Sequence, residues 1–138
     1  MVISTLFIIN NYIIAEFTIK KEDVNRNIRI LNCCDKNEYE IKKCEIRINE
    51  KLIPFNYYLK FERIGKYIIK YSFKNNINES SYMFYQCSSL ISINLSNFNI
   101  NNANHMNSMF IGCNNLEQKN IIIKDKNLLN NKNIFDNY

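Results

Sequence analysis

Two octapeptides hold the residues best placed to do chemistry: "MFYQCSSL" at Met83–Leu90 and "MFIGCNNL" at Met109–Leu116, 26 positions apart. Each supplies a thiol, Cys87 or Cys113, in the same frame. A nucleophilic cysteine needs a base to generate the thiolate and an electropositive, partly exposed setting. The chain has a single histidine, His105, in "NNANHMNS" between the octapeptides, so a cysteine-dependent enzyme has one candidate base. The competing reading is structural. Met, Phe, Cys and Leu recur while the residues between them change, and each Cys follows a Phe by three positions and precedes a Leu by three. In coils stacked about 4.8 Å apart, such positions form ladders of buried side chains, with Cys acting as a small apolar filler. The spacing favours packing over catalysis.

The rest of the composition narrows the chemistry further. With two Gly and one His, the chain has no phosphate-binding glycine loop and no Ser/His/Asp arrangement, and no paired carboxylates stand out. Cys33, Cys34, Cys44, Cys87 and Cys113 are an odd set without C-x-x-C spacing, which argues against a disulfide framework or a zinc cluster. No cofactor is expected, and reduced thiols favour an intracellular setting. The net charge of +5 resides in residues 1–75, with 14 Lys/Arg against 9 Asp/Glu, while residues 76–138 carry 4 of each. The charges interleave, as in "KNEYEIKKCEIRINEK", which describes a solvated mixed-charge surface rather than a nucleic-acid stripe. The opening "MVISTLFIINNYIIAEF" is interrupted by Asn10–Asn11 and lacks a basic leader, so a membrane span is not expected. Its competing interpretation as a buried strand, "NYIIAEFTI", is preferred over a targeting segment.

The elements that must position these residues divide into two grammars. From Asn11 to about Phe73 the pattern is β. In "KCEIRI", Cys44, Ile46 and Ile48 share one face. "INEKLI" is a hairpin turning at Asn49-Glu50, with Leu52–Ile53 returning and Pro54 ending an edge strand. In "KYIIKYSF", Tyr67, Ile69 and Tyr71 alternate with Ile68, Lys70 and Ser72. Four to six antiparallel strands follow, as a small sandwich or curled sheet. From about Ser80 a repeat begins. "LISINLSNF" places Leu90, Ile93, Leu95 and Phe98 in the L-x-x-L-x-L spacing of a leucine-rich coil, with one short strand per turn of a parallel stack. Ile93 and Leu95 face inward, and Ser92, Asn94 and Ser96 face solvent as a possible partner-binding surface. A strict 26-residue frame pairs Asn94 with Asn120 and Leu95 with Ile121, and puts Lys119 where Ile93 stood. The second unit therefore decays, consistent with a C-terminal cap that carries Leu128, Leu129, Ile134 and Phe135 over the open end.

"YMFYQCSSLISINLSNFNINNANHMNSMFIGCNNL" resembles the repeat of the BspA-like leucine-rich repeat surface-protein family, on Met83, Phe84, Cys87, Leu90, Ile93, Leu95, Ser96, Phe98, Met106, Met109, Phe110, Cys113 and Leu116. Ile100 and Ala103 depart mildly from it. The segment "KCEIRINEKLIPFNYYLKFERIGKYIIKYSF" resembles the β-region preceding such repeats in protist members. The resemblance implies a mainly β chain: an antiparallel β-domain over residues 1–78, acting as N-terminal cap, and about two coils with a C-terminal cap over residues 79–138. Since three or more repeats are normally needed for a free-standing solenoid, the β-domain must share its core with the coils. The implied function is a non-catalytic module that binds another protein, with the cell surface as the family's setting and self-association through solenoid ends as a further option. A structural remnant of a longer array, a cysteine enzyme and a weak nucleic-acid binder are the alternatives.

Overall fold

The alternation in "YIIAEFTI" makes a strand with one apolar face, and that strand becomes the centre of the molecule. The computed structural model describes residues 11–100 and 105–135. The first ten residues, part of the targeting candidate, lie outside the described residues, as does the 101–104 part of the Asn-rich loop. Strand β1 (Tyr12–Ile19) alternates half-buried and buried side chains, burying Ile13, Ala15, Phe17 and Ile19. It pairs along its whole length with β6 (Gly65–Ser72) on one side and with β7 (Leu90–Asn94) on the other, both antiparallel. Beyond β6 lie β3 (Glu45–Ile48) and β4 (Lys51–Ile53), and beyond β7 lies β8 (Ile121–Ile122), giving the order β4-β3-β6-β1-β7-β8. The sheet is mixed, because β7 and β8 run parallel. The fold is mainly β.

The hairpin between β3 and β4 forms as expected. Asn49 and Glu50 both take positive φ, 46° and 73°, in a two-residue turn whose backbone twist suits a tight hairpin. A second, two-stranded sheet joins β2 (Ile28–Arg29) to β5 (Tyr58–Leu59), and a single helical turn, α1 (Glu38–Ile41), lies between them in the chain. Buried residues of this sheet, of α1 and of the turns at 80–89 and 105–113 join those of the large sheet in one core. Tyr71 of β6 ties the layers together. It is fully buried, its hydroxyl donates to the Ile30 carbonyl at 2.5 Å, and its ring meets Phe84 edge-on at 5.5 Å. A buried hydroxyl left without that acceptor would cost about 1–3 kcal/mol.

The 26-residue frame is visible in the backbone of the turns. Tyr82 N–H donates to Asn107 O, Phe84 N–H to Met109 O and Gln86 N–H to Ile111 O, over 2.7–3.1 Å. Equivalent residues also share unusual torsions: Tyr82 and Ser108 have φ of 65° and 59°, and Gln86 and Gly112 have φ of 62° and 80°. The rings of Phe84 and Phe110 stack at 6.0 Å, and Phe110 stacks in turn on Phe135 at 5.9 Å. Ser108 N–H and Phe110 N–H donate to Asn133 O and Ile134 O, so "NIF" at 133–135 repeats the contacts of "SMF" one tier further on. The tail therefore continues the stack of turns.

The strand part departs from the strict frame. Ile93 pairs with Ile121 and Asn94 with Ile122, an offset two residues longer than the turns use. A 3-10 turn at Gln118–Asn120 absorbs the extra residues. The expected pairings of Asn94 with Asn120 and Leu95 with Ile121 are thus corrected. Lys119 does not replace Ile93. Ile121 and Ile123 are both buried, as Ile93 and Leu95 are, so the second unit keeps its apolar positions behind an insertion.

Gly112 is where a side chain would do most harm. A Cβ there would lie 3.0 Å from both Gln86 Cα and Gln86 Cγ, on a residue whose φ already disfavours L side chains. Gly112→Ala is expected to destabilise the chain by about 1–3 kcal/mol, read as a lower urea midpoint with unchanged slope.

Candidate interaction surface

The thiols singled out for chemistry are buried, and the one candidate base engages a carboxylate. Cys87 is fully buried and Cys113 nearly so, with the Cys113 thiol donating to the Phe84 carbonyl at 2.9 Å. Burial pushes the Cys87 thiol well up and raises Cys113 to about 12. Cys44 is likewise buried and pushed up to about 12. His105 partners a carboxylate: its Nδ1 lies 3.1 Å from Glu79 Oε2. Met83, Phe84, Leu90, Ile93, Leu95, Phe98, Met106, Met109 and Phe110 all lie in the core, and Leu116 packs half-buried against it. Among the described residues no group of three or more His, Cys, Asp or Glu could hold a metal ion, and no helix is long and apolar enough to cross a membrane.

Asn32, Asn37 and Glu79 form a polar seam that the sequence does not advertise. Asn32 N–H donates to Met83 O at 2.7 Å and its side-chain amide to Tyr85 O at 3.0 Å. Asn37, 2% exposed, donates its side-chain amide to both Glu79 O and Ser81 O at 3.0 Å. The segment holding Cys33 and Cys34 is thereby stitched to the first octapeptide, and the Tyr57 hydroxyl donates to Cys33 Sγ at 3.3 Å. Glu79 also accepts from the Ser81 hydroxyl. Partial burial pushes the Glu79 carboxyl up, but hydrogen bonds from Ser81 and His105 outweigh it and hold the group below its ordinary value. Both Ser81 and His105 contact Glu79, so the three do not form a relay that would activate a serine.

The opposite, outer face of the large sheet carries half-buried and exposed side chains. One row crosses all six strands: Leu52, Arg47, Lys70, Ile14, Asn94 and Ile122, each paired with the next. The adjoining row brings Ile68 beside Glu16 and Glu16 beside Ser92. A bulge next to this pair, where the register shifts between Glu16 and Phe17, keeps Ser92 and Asn94 outward while Leu90 and Ile93 stay buried. Of the three residues expected to face a partner, Ser92 donates to Glu16 Oε2 at 3.2 Å, and Asn94 Oδ1 accepts from Ser96 N–H at 2.9 Å and the Ser96 hydroxyl at 2.6 Å. Ser96 thus serves to end β7, and Ser92 and Asn94 belong to a larger surface. Its charges are largely neutralised within it: Arg47 pairs with Glu45 at 2.9 Å, and Lys70 Nζ sits 4.3 Å from the centre of the Tyr12 ring. Between them Leu52, Ile68 and Ile122 remain 54%, 52% and 56% exposed. Only the strand alternation pointed to this face; its extent depends on β1 bringing β6 and β7 side by side.

Comparison of the chain with protein-family models, with curated proteins and with solved structures returns no match.

The thiol environments give a direct expectation. In the folded chain iodoacetamide should modify the half-exposed Cys33 and Cys34, while Cys44, Cys87 and Cys113 react only in denaturant. Peptide mapping that finds Cys87 or Cys113 labelled as fast as Cys33 would reverse this reading. A second expectation concerns pH. A carboxyl held below its ordinary value in the folded state contributes stability above the normal carboxylate range and loses it as pH falls through the folded value. The wild type should therefore exceed Glu79→Gln in urea midpoint at neutral pH, with the gap closing on acidification. A gap that is constant from neutral to strongly acid pH would contradict it.

Proposed function

We propose that the chain is a non-catalytic protein-interaction module whose binding surface is the outer face of the large sheet. In this reading residues 79–138 are a short leucine-rich-repeat stack similar to the BspA-like repeats. Residues 1–78 are an antiparallel domain that caps the stack and lends it a core. The observation that carries the proposal is the outer face itself. It is a sheet surface on which exposed Leu52, Ile68 and Ile122 stand among polar groups that already have partners, Arg47 with Glu45, Lys70 with the Tyr12 ring and Glu16 with Ser92, so a partner gains apolar burial at a modest desolvation cost. The repeat reading is supported by the shared torsions at 82/108 and 86/112 and by the Phe84–Phe110–Phe135 ladder. The non-catalytic reading draws on the burial of the raised thiols and on the carboxylate that His105 engages.

The test uses a photo-crosslinking amino acid placed at Ser92, Leu52 or, as a control off the face, Tyr39. Crosslinking in native cells should trap the same protein from Ser92 and Leu52 but not from Tyr39, and Asn94→Arg should abolish it. If the Tyr39 position traps the same species as the face positions, or if Asn94→Arg leaves the adducts unchanged in a folded chain, the face is not the binding surface.

A further inference from the structure

The core-facing side of the β3–β4 hairpin ends in a groove that the second layer leaves open. The inward residues of β3 and β4 run from fully buried Ile46 to half-buried Ile48 and Ile53, so burial falls off toward the β4 edge. The loop from Pro54 to Arg63 borders this margin, and the groove between them holds about 630 Å³, within the ~300–1,000 Å³ typical of ligand sites. Ile53, Phe55, Phe61 and Tyr67 supply its apolar lining. That lining is held in place: Phe61 and Tyr67 pack with ring centres 4.5 Å apart, the Tyr67 hydroxyl donates to Arg63 O at 2.7 Å, and Asn25 N–H donates to Phe61 O at 2.9 Å.

The rim is cationic. Lys51, Lys60 and Arg63 are exposed around the opening, against one carboxylate, Glu62. None of the three cations makes an ion pair with a carboxylate among the described residues, unlike Arg47, Lys42 and Lys43 elsewhere on the surface. An apolar floor bordered by uncompensated positive charge is complementary to a chain that offers apolar anchors flanked by acids. The groove is open along its length rather than closed over, which suits a continuous chain better than an enclosed small molecule.

We propose that this groove binds an acidic linear peptide, with an aromatic or aliphatic side chain seated on Phe55, Phe61 and Tyr67 and Asp or Glu side chains on Lys51, Lys60 and Arg63. The site lies on the core-facing side of the sheet and is independent of the outer face. Edge pairing contributes little, because β4 is three residues long and ends at Pro54. Recognition rests on the anchors and the rim charges.

The full chain is titrated into a fluorescein-labelled peptide carrying Phe anchors among Glu residues, with anisotropy as the readout. Saturable binding that weakens as salt is raised is expected. Replacing Glu by Gln, or Phe by Ser, in the peptide should each weaken binding about tenfold or more, as should Lys60→Glu combined with Arg63→Glu in the protein. Both protein positions are exposed, and circular dichroism checks that the variant folds. Asn94→Arg on the outer face should leave peptide binding unchanged, which separates this site from the proposed interaction face. Equal affinity for the Glu and Gln peptides, or no effect of the double reversal, would overturn the proposal. So would phosphatidylserine vesicles that bind through Lys60 and Arg63 when the acidic peptide does not, an outcome that assigns the groove to lipid.

Discussion

Everything else in the molecule depends on the two edges of β1. An isolated strand exposes a row of backbone donors and acceptors on each side, and burying those groups unpaired is costly. In β1 one edge is satisfied by β6, from the mixed-charge first half of the chain, and the other by β7, from the first of the two 26-residue units. Joined through β1 they share one sheet, with Ile13, Ala15, Phe17 and Ile19 under its centre. The Asn32 and Asn37 seam makes the same connection on the other layer, and Tyr71 connects the two layers.

This constraint explains why residues that look reactive are buried and why the surface is where it is. The octapeptides must turn tightly at the same places, so their left-handed positions recur and their Met, Phe and Cys side chains are aimed into the core. A thiol in such a position loses hydration before it can gain a base, which is why burial dominates the raised values at Cys87 and Cys113. With one sheet face consumed by the core, the other carries the half-buried and exposed side chains, and several of its polar groups partner one another. The strand edges are kept short, two residues at β8 and three at β4, which limits indiscriminate pairing with other chains.

Much of this architecture was legible in the residues. The alternation of β1, β3 and β6, the turn at Asn49-Glu50 and the inward pair Ile93 and Leu95 follow from periodicity and turn chemistry alone. The 26-residue frame correctly aligned the turns because those carry distinctive side chains. It failed in the second strand because "IIIKDKN" has three consecutive Ile, so alternation could not reveal that Gln118–Asn120 had shifted the register. The continuation of the stack of turns was missed for a related reason: Ile134 stands where Met stands in the other two, and only Phe135 keeps the pattern. The seam was invisible because Asn occurs 26 times, so no single Asn carries a signal until its partners are known. The outer face and the groove required knowing which strands are neighbours, and strand neighbours distant in sequence leave little local trace.

The claim that the repeat and the preceding β-region form one cooperative structure through β1 is tested most directly by native-state hydrogen exchange resolved to single amides. Amides paired between β1 and β6 and those paired between β1 and β7 should show the same opening free energy, equal to that of global unfolding, and should fall together as denaturant is added. Protection of the β1–β6 amides that persists while the β7 and octapeptide amides exchange through a separate, lower-energy opening would contradict the account.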